Sequence, residues 1–268
     1  MWLVIGIGWR RELATSILAH LDEIDVLEVM AEEYLHANAS ERRALRFLAT
    51  QVPVVVHATS LGLASTEAVD RKRLDALARL LDWLQPRFWS EHLAFVRAGG
   101  IEVGHLAAPP RNDETLHGLM RNVDEARRVT GSLPVLENVA TLVEPPFSRY
   151  GEAEWLNAVT RATGCRLLLD LHNLYANATN FGFDAYATLR AIPREAIGAV
   201  HLAGGRRIEG ERVLDDHLHA VPNEVFAMLT ELAPEVPVIL ERDGRYPQFD
   251  ELLGELRRAR TACMSSSS

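Results

Sequence analysis

The stretch LLLDLHN, Leu167–Asn173, decides how this chain is read. Three consecutive leucines suit a parallel strand covered on both faces, because such strands show continuous apolar runs with no alternation. The run then ends in a carboxylate, an imidazole and an amide within four positions: Asp170, His172 and Asn173. Working outward, runs of the same kind recur as LVIGIG, VLEVM, VPVVVHA, FWSEHLAF, LPVLENV, CRLLLDL, IGAVHLAG and VPVILERD, which makes eight. Between them lie stretches with helical spacing of apolar residues, among them RRELATSILAHL, DRKRLDALARLLDWL, DETLHGLMRNVDEARRV and NEVFAMLTEL. Strand–helix alternation over 268 residues predicts an α/β fold, a single (β/α)8 TIM barrel, which typically takes roughly 250 residues. An open doubly wound sheet is the alternative. Against it, GIGWRR after the first strand lacks the third glycine of a dinucleotide-binding turn.

Composition narrows the function classes. Hydrophobic residues make up 48% and charged residues 24%, the balance of a globular protein. A net charge of −9 disfavours nucleic acid as the main ligand, because such partners leave a basic stripe on the binding face. Cys165 and Cys263 fit neither a disulfide framework nor a CxxC motif, which points to a reducing compartment. The N-terminus lacks the basic start and small-residue cleavage site of a signal peptide, and no apolar run is long enough to span a bilayer. The expected location is cytoplasmic, with no membrane partner. Residues 1–262 are expected to form the barrel and 263–268 a disordered tail. His20, His36, His105 and His117 read as solvated, and Trp83 and Trp89 as packing residues.

In a TIM barrel the C-terminal strand ends carry the chemistry. Here they bear Glu28 and Glu32, His57, Glu91 and His92, Glu137 and Asn138, Asp170, His172 and Asn173, His201, and Glu241 and Asp243. The loop after the seventh strand adds Asp215, Asp216, His217 and His219. On an extended strand Asp170 and His172 project to one side and can share an ion, and the D-x-H spacing recurs as Asp215 and His217. Imidazole and carboxylate without thiolate suit a divalent metal such as iron, manganese or zinc. A single histidine at a strand end, such as His201, is ordinarily a hydrogen-bonded structural residue, and Glu91 alone can pair with a rim arginine. So many ionisable groups in one barrel mouth, however, need neutralising, which bound cations do directly. One ion takes up to about six ligands, so the supply from His57, His92, Glu137, Asp170, His172, His201, Asp215, His217 and Glu241 predicts more than one ion, with Glu137 able to bridge two.

Taken together, SEHL (Ser90–Leu93), ENV (Glu137–Val139), CRLLLDLHN (Cys165–Asn173), HLAG (His201–Gly204), the D-x-H of Asp215 and His217, and ERD (Glu241–Asp243) resemble the multinuclear non-heme iron-dependent oxidative enzymes, the family of the methanobactin biosynthesis iron enzyme. The resemblance runs from GIGWR to the ERD strand. It implies a TIM barrel with two or three iron ions that uses dioxygen as co-substrate to modify residues, often cysteine, of a ribosomally made precursor peptide. Carried over motif by motif, the ligands are His57, His92, Glu137, Asp170, His201, Asp215, His217 and Glu241. His172 joins them at a position where family members often carry asparagine. Glu137, Asp170 and His217 take the catalytic roles, and Asn138, Asn173 and Asp243 orient the ligating side chains. The first strand departs from the family in reading GIGWR, which puts substrate contacts near Trp9 in question. A separate peptide-recognition protein is expected to deliver the substrate.

Two other classes compete. A hydrolytic or isomerising metal barrel, resembling sugar isomerases or apurinic endonucleases, has similar ligand clusters. The former generally uses a lysine, whereas the one lysine here, Lys72, falls on a helix before the fourth strand. The latter needs basic groups for the DNA backbone. A non-catalytic metal- or peptide-binding barrel is the third class.

Overall fold

The computed structural model describes residues 3–265. Eight parallel strands close into a barrel: β1 (Ile5–Gly8), β2 (Val26–Met30), β3 (Val54–Ala58), β4 (Trp89–His92), β5 (Val135–Glu137), β6 (Arg166–Asp170), β7 (Ile197–Leu202) and β8 (Val238–Leu240). β1 closes the ring by pairing with both β2 and β8. The expected TIM barrel is the fold observed. The main surrounding helices are α1 (Ala14–Ala19), α2 (Ala39–Gln51), α3 (Arg71–Leu84), α4 (Asp113–Thr130), α5 (Glu152–Thr163), α6 (Leu171–Phe181), α7 (Ala185–Ala191), α8 (Asn223–Leu232) and α9 (Phe249–Met264). Among the described residues, no helix is long and apolar enough to cross a membrane.

Strand alternation sorts the apolar residues into two compartments. Leu27, Val29, Val54, Val56, Leu167, Leu169 and Val200 pack outward, with the helices, in the main core. Inside the ring, Val26, Val55 and Ile239 form one small cluster and Val135, Leu168 and Ala199 another, with Phe88 against both. These six residues plug the barrel floor. Two positions further along the same strands stand Glu28, His57, Glu241, Glu137, Asp170 and His201, all buried. The period of two therefore lays a charged layer directly on an apolar one. Parallel register keeps the tips level, setting His57 beside Ser90, His92 beside Glu137 and Asp170 beside His201.

Local signals end the elements where the barrel needs them. Asn38, Asp70 and Asn112 cap α2, α3 and α4 through their side chains, and Gly131, Gly164 and Gly182 end α4, α5 and α6 in the left-handed region. The run FWSEHLAF divides: Trp89–His92 is barrel strand, whereas Phe95–Ala98 leaves the ring to pair antiparallel with Ile101–Ala107. A shorter ribbon, Arg206–Arg207 with Val213–Leu214, follows β7. Trp83 and Trp89 are packing residues as expected: Trp83 lies against Arg42 and Arg46, and buried Trp89 donates to Ser132 Oγ at 3.1 Å. The boundary expected at 262 falls inside α9, because Cys263 packs on the core and holds the helix through Met264. Residues 266–268 lie outside the described residues.

Truncating Leu168 to alanine removes the largest side chain of its interior cluster. The loss is expected to lower unfolding free energy by roughly 2–5 kcal/mol, measured by urea denaturation. A change within error would show that the plug is not load sensitive.

Candidate metal centre

Three groups of imidazole and carboxylate donors lie in the barrel mouth. In the first, His57 Nε2 and His92 Nε2 each stand 3.3 Å from Glu137 Oε2. That oxygen is buried and accepts no hydrogen bond. Two donors each about 2.1 Å from a shared ion and at right angles lie about 3.0 Å apart, so the spacing is that of ligands converging on one point. The other face of His57 is fixed by Ser90, whose Oγ lies 2.8 Å from Nδ1 and itself donates toward the Val56 carbonyl. A hydroxyl committed as donor accepts from Nδ1–H, which leaves the Nε2 lone pair for the site.

Glu137 also serves the second group, with Asp170, His201 and Glu241. His201 Nδ1 is 3.2 Å from Glu137 Oε1 and 3.1 Å from Glu241 Oε2. Its Nε2 donates to Glu28 Oε2 at 3.0 Å, the carboxylate–imidazole pairing that orients a metal ligand. Asp170 divides its carboxylate. Oδ1 accepts from the Asn173 amide at 2.7 Å and caps α6, while Oδ2 is buried without a partner. Asn138 locks the strand end from the side, donating to the Asp170 carbonyl and accepting from its amide, and Asn173 donates to the Asn138 carbonyl.

The third group is His217, Glu241 and Asp243. His217 adopts a positive φ of 52°, which turns its ring into the mouth. Nδ1 lies 3.2 Å from Glu241 and 3.4 Å from Asp243, and Nε2 lies 3.0 Å from Asp215 Oδ1.

The expected ligand set is therefore brought together except in two places. Asp170 and His172 do not share a site. The chain leaves the extended conformation at Asp170 and Leu171 opens α6, so successive side chains fan around a helix instead of alternating. His172 Nδ1 turns to Asp215 Oδ1 at 2.7 Å, and its ring rests on Gly205, where a Cβ would come within 2.6 Å of it. Asp215, held between His172 and His217, belongs to none of the three groups, whereas Asp243, expected only to orient ligands, belongs to one. Sequence reasoning missed Ser90 and Arg10; the motifs SEHL and GIGWR contain them but do not disclose their contacts.

An open cavity of about 750 Å³ leads down to the donors. Phe95, Leu106, Val139, Leu142, Val143 and Pro146 line its walls, with His57, His92, His217, Glu241 and Asp243 at the base. His105 is solvent-exposed as expected, yet its hairpin forms part of the wall. Helix α6 braces the opposite side: Asn177 bonds the backbone of Val139 and Thr141, and Asn180 that of Thr141 and Val213.

The buried charges displace one another's titration. Burial raises the Asp170 carboxyl to about 7, with His217 opposing and Glu137 and Asp215 adding. For His92 burial acts to lower the value, but Glu137 and Glu91 outweigh it and carry it to about 9. Burial likewise opposes the shifts at His201 and Glu241, yet Glu241 raises His201 well above its ordinary value and His201 and His217 hold Glu241 well below its own. Without metal the cluster thus holds protons where ions would place positive charge. The unpartnered Glu137 Oε2 and Asp170 Oδ2, in an oxygen-and-imidazole set, fit a borderline divalent ion such as iron.

Metal must displace those protons. Adding Fe2+ anaerobically to metal-free protein near neutral pH is expected to release at least one proton per chain, read in a pH-stat. Affinity should rise with pH, because raising pH through about 7 at Asp170 and about 9 at His92 removes the competing proton. Uptake without proton release would contradict this.

Comparison with known proteins adds a family. The family described as RiPP precursor modification enzyme MbnB/TglH/ChrH matches residues 4–264. A UPF0276 protein of Streptomyces avermitilis is 39% identical over 264 residues, covering 94% of this chain and 53% of that protein, so the chain spans about half that relative's length. UPF0276 proteins of Rhizorhabdus wittichii and an Anaeromyxobacter species are 34% and 32% identical, covering 88% and 95% of this chain and 86% and 90% of theirs. Among solved structures, D-psicose 3-epimerase from Clostridium cellulolyticum superposes with a TM-score of 0.60 at 13% identity, covering 98% of both chains. The 3-keto-D-glucoside 4-epimerase from E. coli gives 0.61 at 12%, covering 97% of this chain and all of that one. At these identities the likeness shows the fold alone.

Proposed function

The chain belongs to the family of RiPP precursor modification enzymes described as MbnB/TglH/ChrH, and on that premise we propose that it is a multinuclear non-heme iron enzyme that uses dioxygen to oxidise residues, cysteine foremost, of a ribosomally synthesised precursor peptide. The observation that carries this reading is Glu137, whose two oxygens face different donor groups. His57, His92 and Glu137 Oε2 would hold one ion; Asp170, His201, Glu241 and Glu137 Oε1 would hold another. Bound iron supplies the electron transfer to dioxygen that no side chain of this set supplies.

The chain's own residues do the remainder. The deeper donors Glu137, Asp170 and His201 are buried from water, which strengthens electrostatic interactions among them. His217 stands at the cavity floor between Asp215 and Asp243 and is placed to hold or move a proton at the bound residue. Asp170 keeps its free oxygen fixed through Asn138 and the helix cap, so the donor layer is preorganised before substrate arrives. A separate peptide-recognition protein is proposed to present the peptide. A sugar-isomerising reading lacks its lysine, since Lys72 sits on α3, away from the cavity lining.

The test follows the mass of a cysteine-containing peptide encoded beside the gene, incubated with iron-loaded protein with and without oxygen. Wild type is expected to change the peptide mass only with oxygen. Glu137→Gln keeps shape but removes charge, and is expected to lower metal content and to cut turnover by more than the roughly 10–100-fold typical of losing an outer partner. Oxygen-independent conversion of a sugar or phosphodiester would replace this reading.

A further inference from the structure

Arg10 distinguishes the third donor group from the other two. Its side chain is 8% exposed and enters the mouth from the end of β1. The guanidinium bonds Asp243 Oδ1 through Nε at 3.0 Å and again through Nη2, while Nη1 donates to the Trp9 carbonyl at 2.9 Å. Nη2 also stands 3.7 Å from Glu241 Oε1. The seat is shaped for it: a Cβ on Gly8 would come within 2.9 Å of Nη1 and 3.3 Å of the guanidinium carbon. By contrast, among the described residues Glu137 and Asp170 form ion pairs with histidines alone. A histidine gives up its proton to a metal; an arginine retains its charge at any accessible pH.

We infer that Arg10 is a built-in cation of the third donor group, so that the chain holds two ions tightly and binds a third only weakly, against the guanidinium. The inference rests on the metal reading proposed above and bears on the stoichiometry, which the family resemblance leaves at two or three. Asp243 has one oxygen committed to the fork of the guanidinium and keeps Oδ2 toward His217 at 3.4 Å. An ion drawn to His217, Glu241 and Asp243 meets a fixed positive charge already bonded to one of its three donors, in a partly desolvated site where like charges repel strongly. No donor of the first group pairs with the guanidinium, and the second meets it only through the shared Glu241, at 3.7 Å and without a hydrogen bond. Arg10 thereby acts as a positioning residue, keeping Asp243 at the cavity edge as an oriented carboxylate.

Metal-stripped protein titrated anaerobically with Fe2+, desalted and analysed for iron, tests this without reference to turnover. Wild type is expected to retain two ions and to bind a third at least about tenfold more weakly, a step of about 1.4 kcal/mol. Arg10→Met, which keeps the apolar stem and removes the charge, is expected to retain three. Gly8→Ala leaves every donor in place but pushes the guanidinium from its seat, and should also retain three, so the test does not depend on one variant folding. Circular dichroism confirms the fold of each. Three tightly held ions in wild type, or two in both folded variants, would overturn the inference. Repeating the counts with Zn2+ separates it from the oxidative reading: two ions rising to three with zinc supports the role of Arg10 even if no oxygen-dependent peptide chemistry is found. Protein that binds no divalent metal overturns both.

Discussion

Six strands of this barrel pass from an apolar inward residue to an ionisable one in a single step of two positions, and the resulting layer of charge has to be neutralised where water does not reach. Glu28, Glu137, Asp170 and His201 are fully buried, and Glu241 nearly so. Isolated, each would be driven to its neutral form. Placed level by parallel register, they neutralise one another in part, His201 against three carboxylates and Glu137 against three histidines. The unpartnered oxygens that remain are where the arrangement is incomplete as protein alone. Fold and site are thus one construction: the apolar plug sets the height of the floor, and closure of the ring sets which donors meet.

That construction was largely legible in the sequence, because both of its rules are short-range. Eight continuous apolar runs mark parallel strands, and polar residues at their ends mark the mouth. What was not legible depends on events beyond one strand. The reading of Asp170 and His172 as a pair assumed that extended chain continues past Asp170; the helix begins one residue later, and His172 rotates away to Asp215. That Asp243 and not Asp215 falls within a donor group depends on the course of the loop through His217, whose left-handed backbone no residue pattern announces at a non-glycine position. Ser90 and Arg10 were hidden for another reason: one is a small hydroxyl on a strand read for its neighbours, and the other follows the strand and folds back over a glycine.

The comparisons divide in the same way. Epimerases at 12–13% identity share the barrel, which is the part dictated by packing. The family match extends over residues 4–264, a range that contains every donor position as well as the barrel.

Helix α6 has a mechanical consequence. Asp170 sits at its head with one oxygen in the donor layer, and Asn177 and Asn180 grip, from its flank, the wall at Val139–Thr141 and the ribbon at Val213. Floor and rim are therefore bolted to one rod. A tilt of α6 that widened the entrance would drag the Asp170 carboxylate out of register with His201, and an ion seated there would resist it. Any displacement of α6 thus acts on the cavity wall and on the Asp170 carboxylate together.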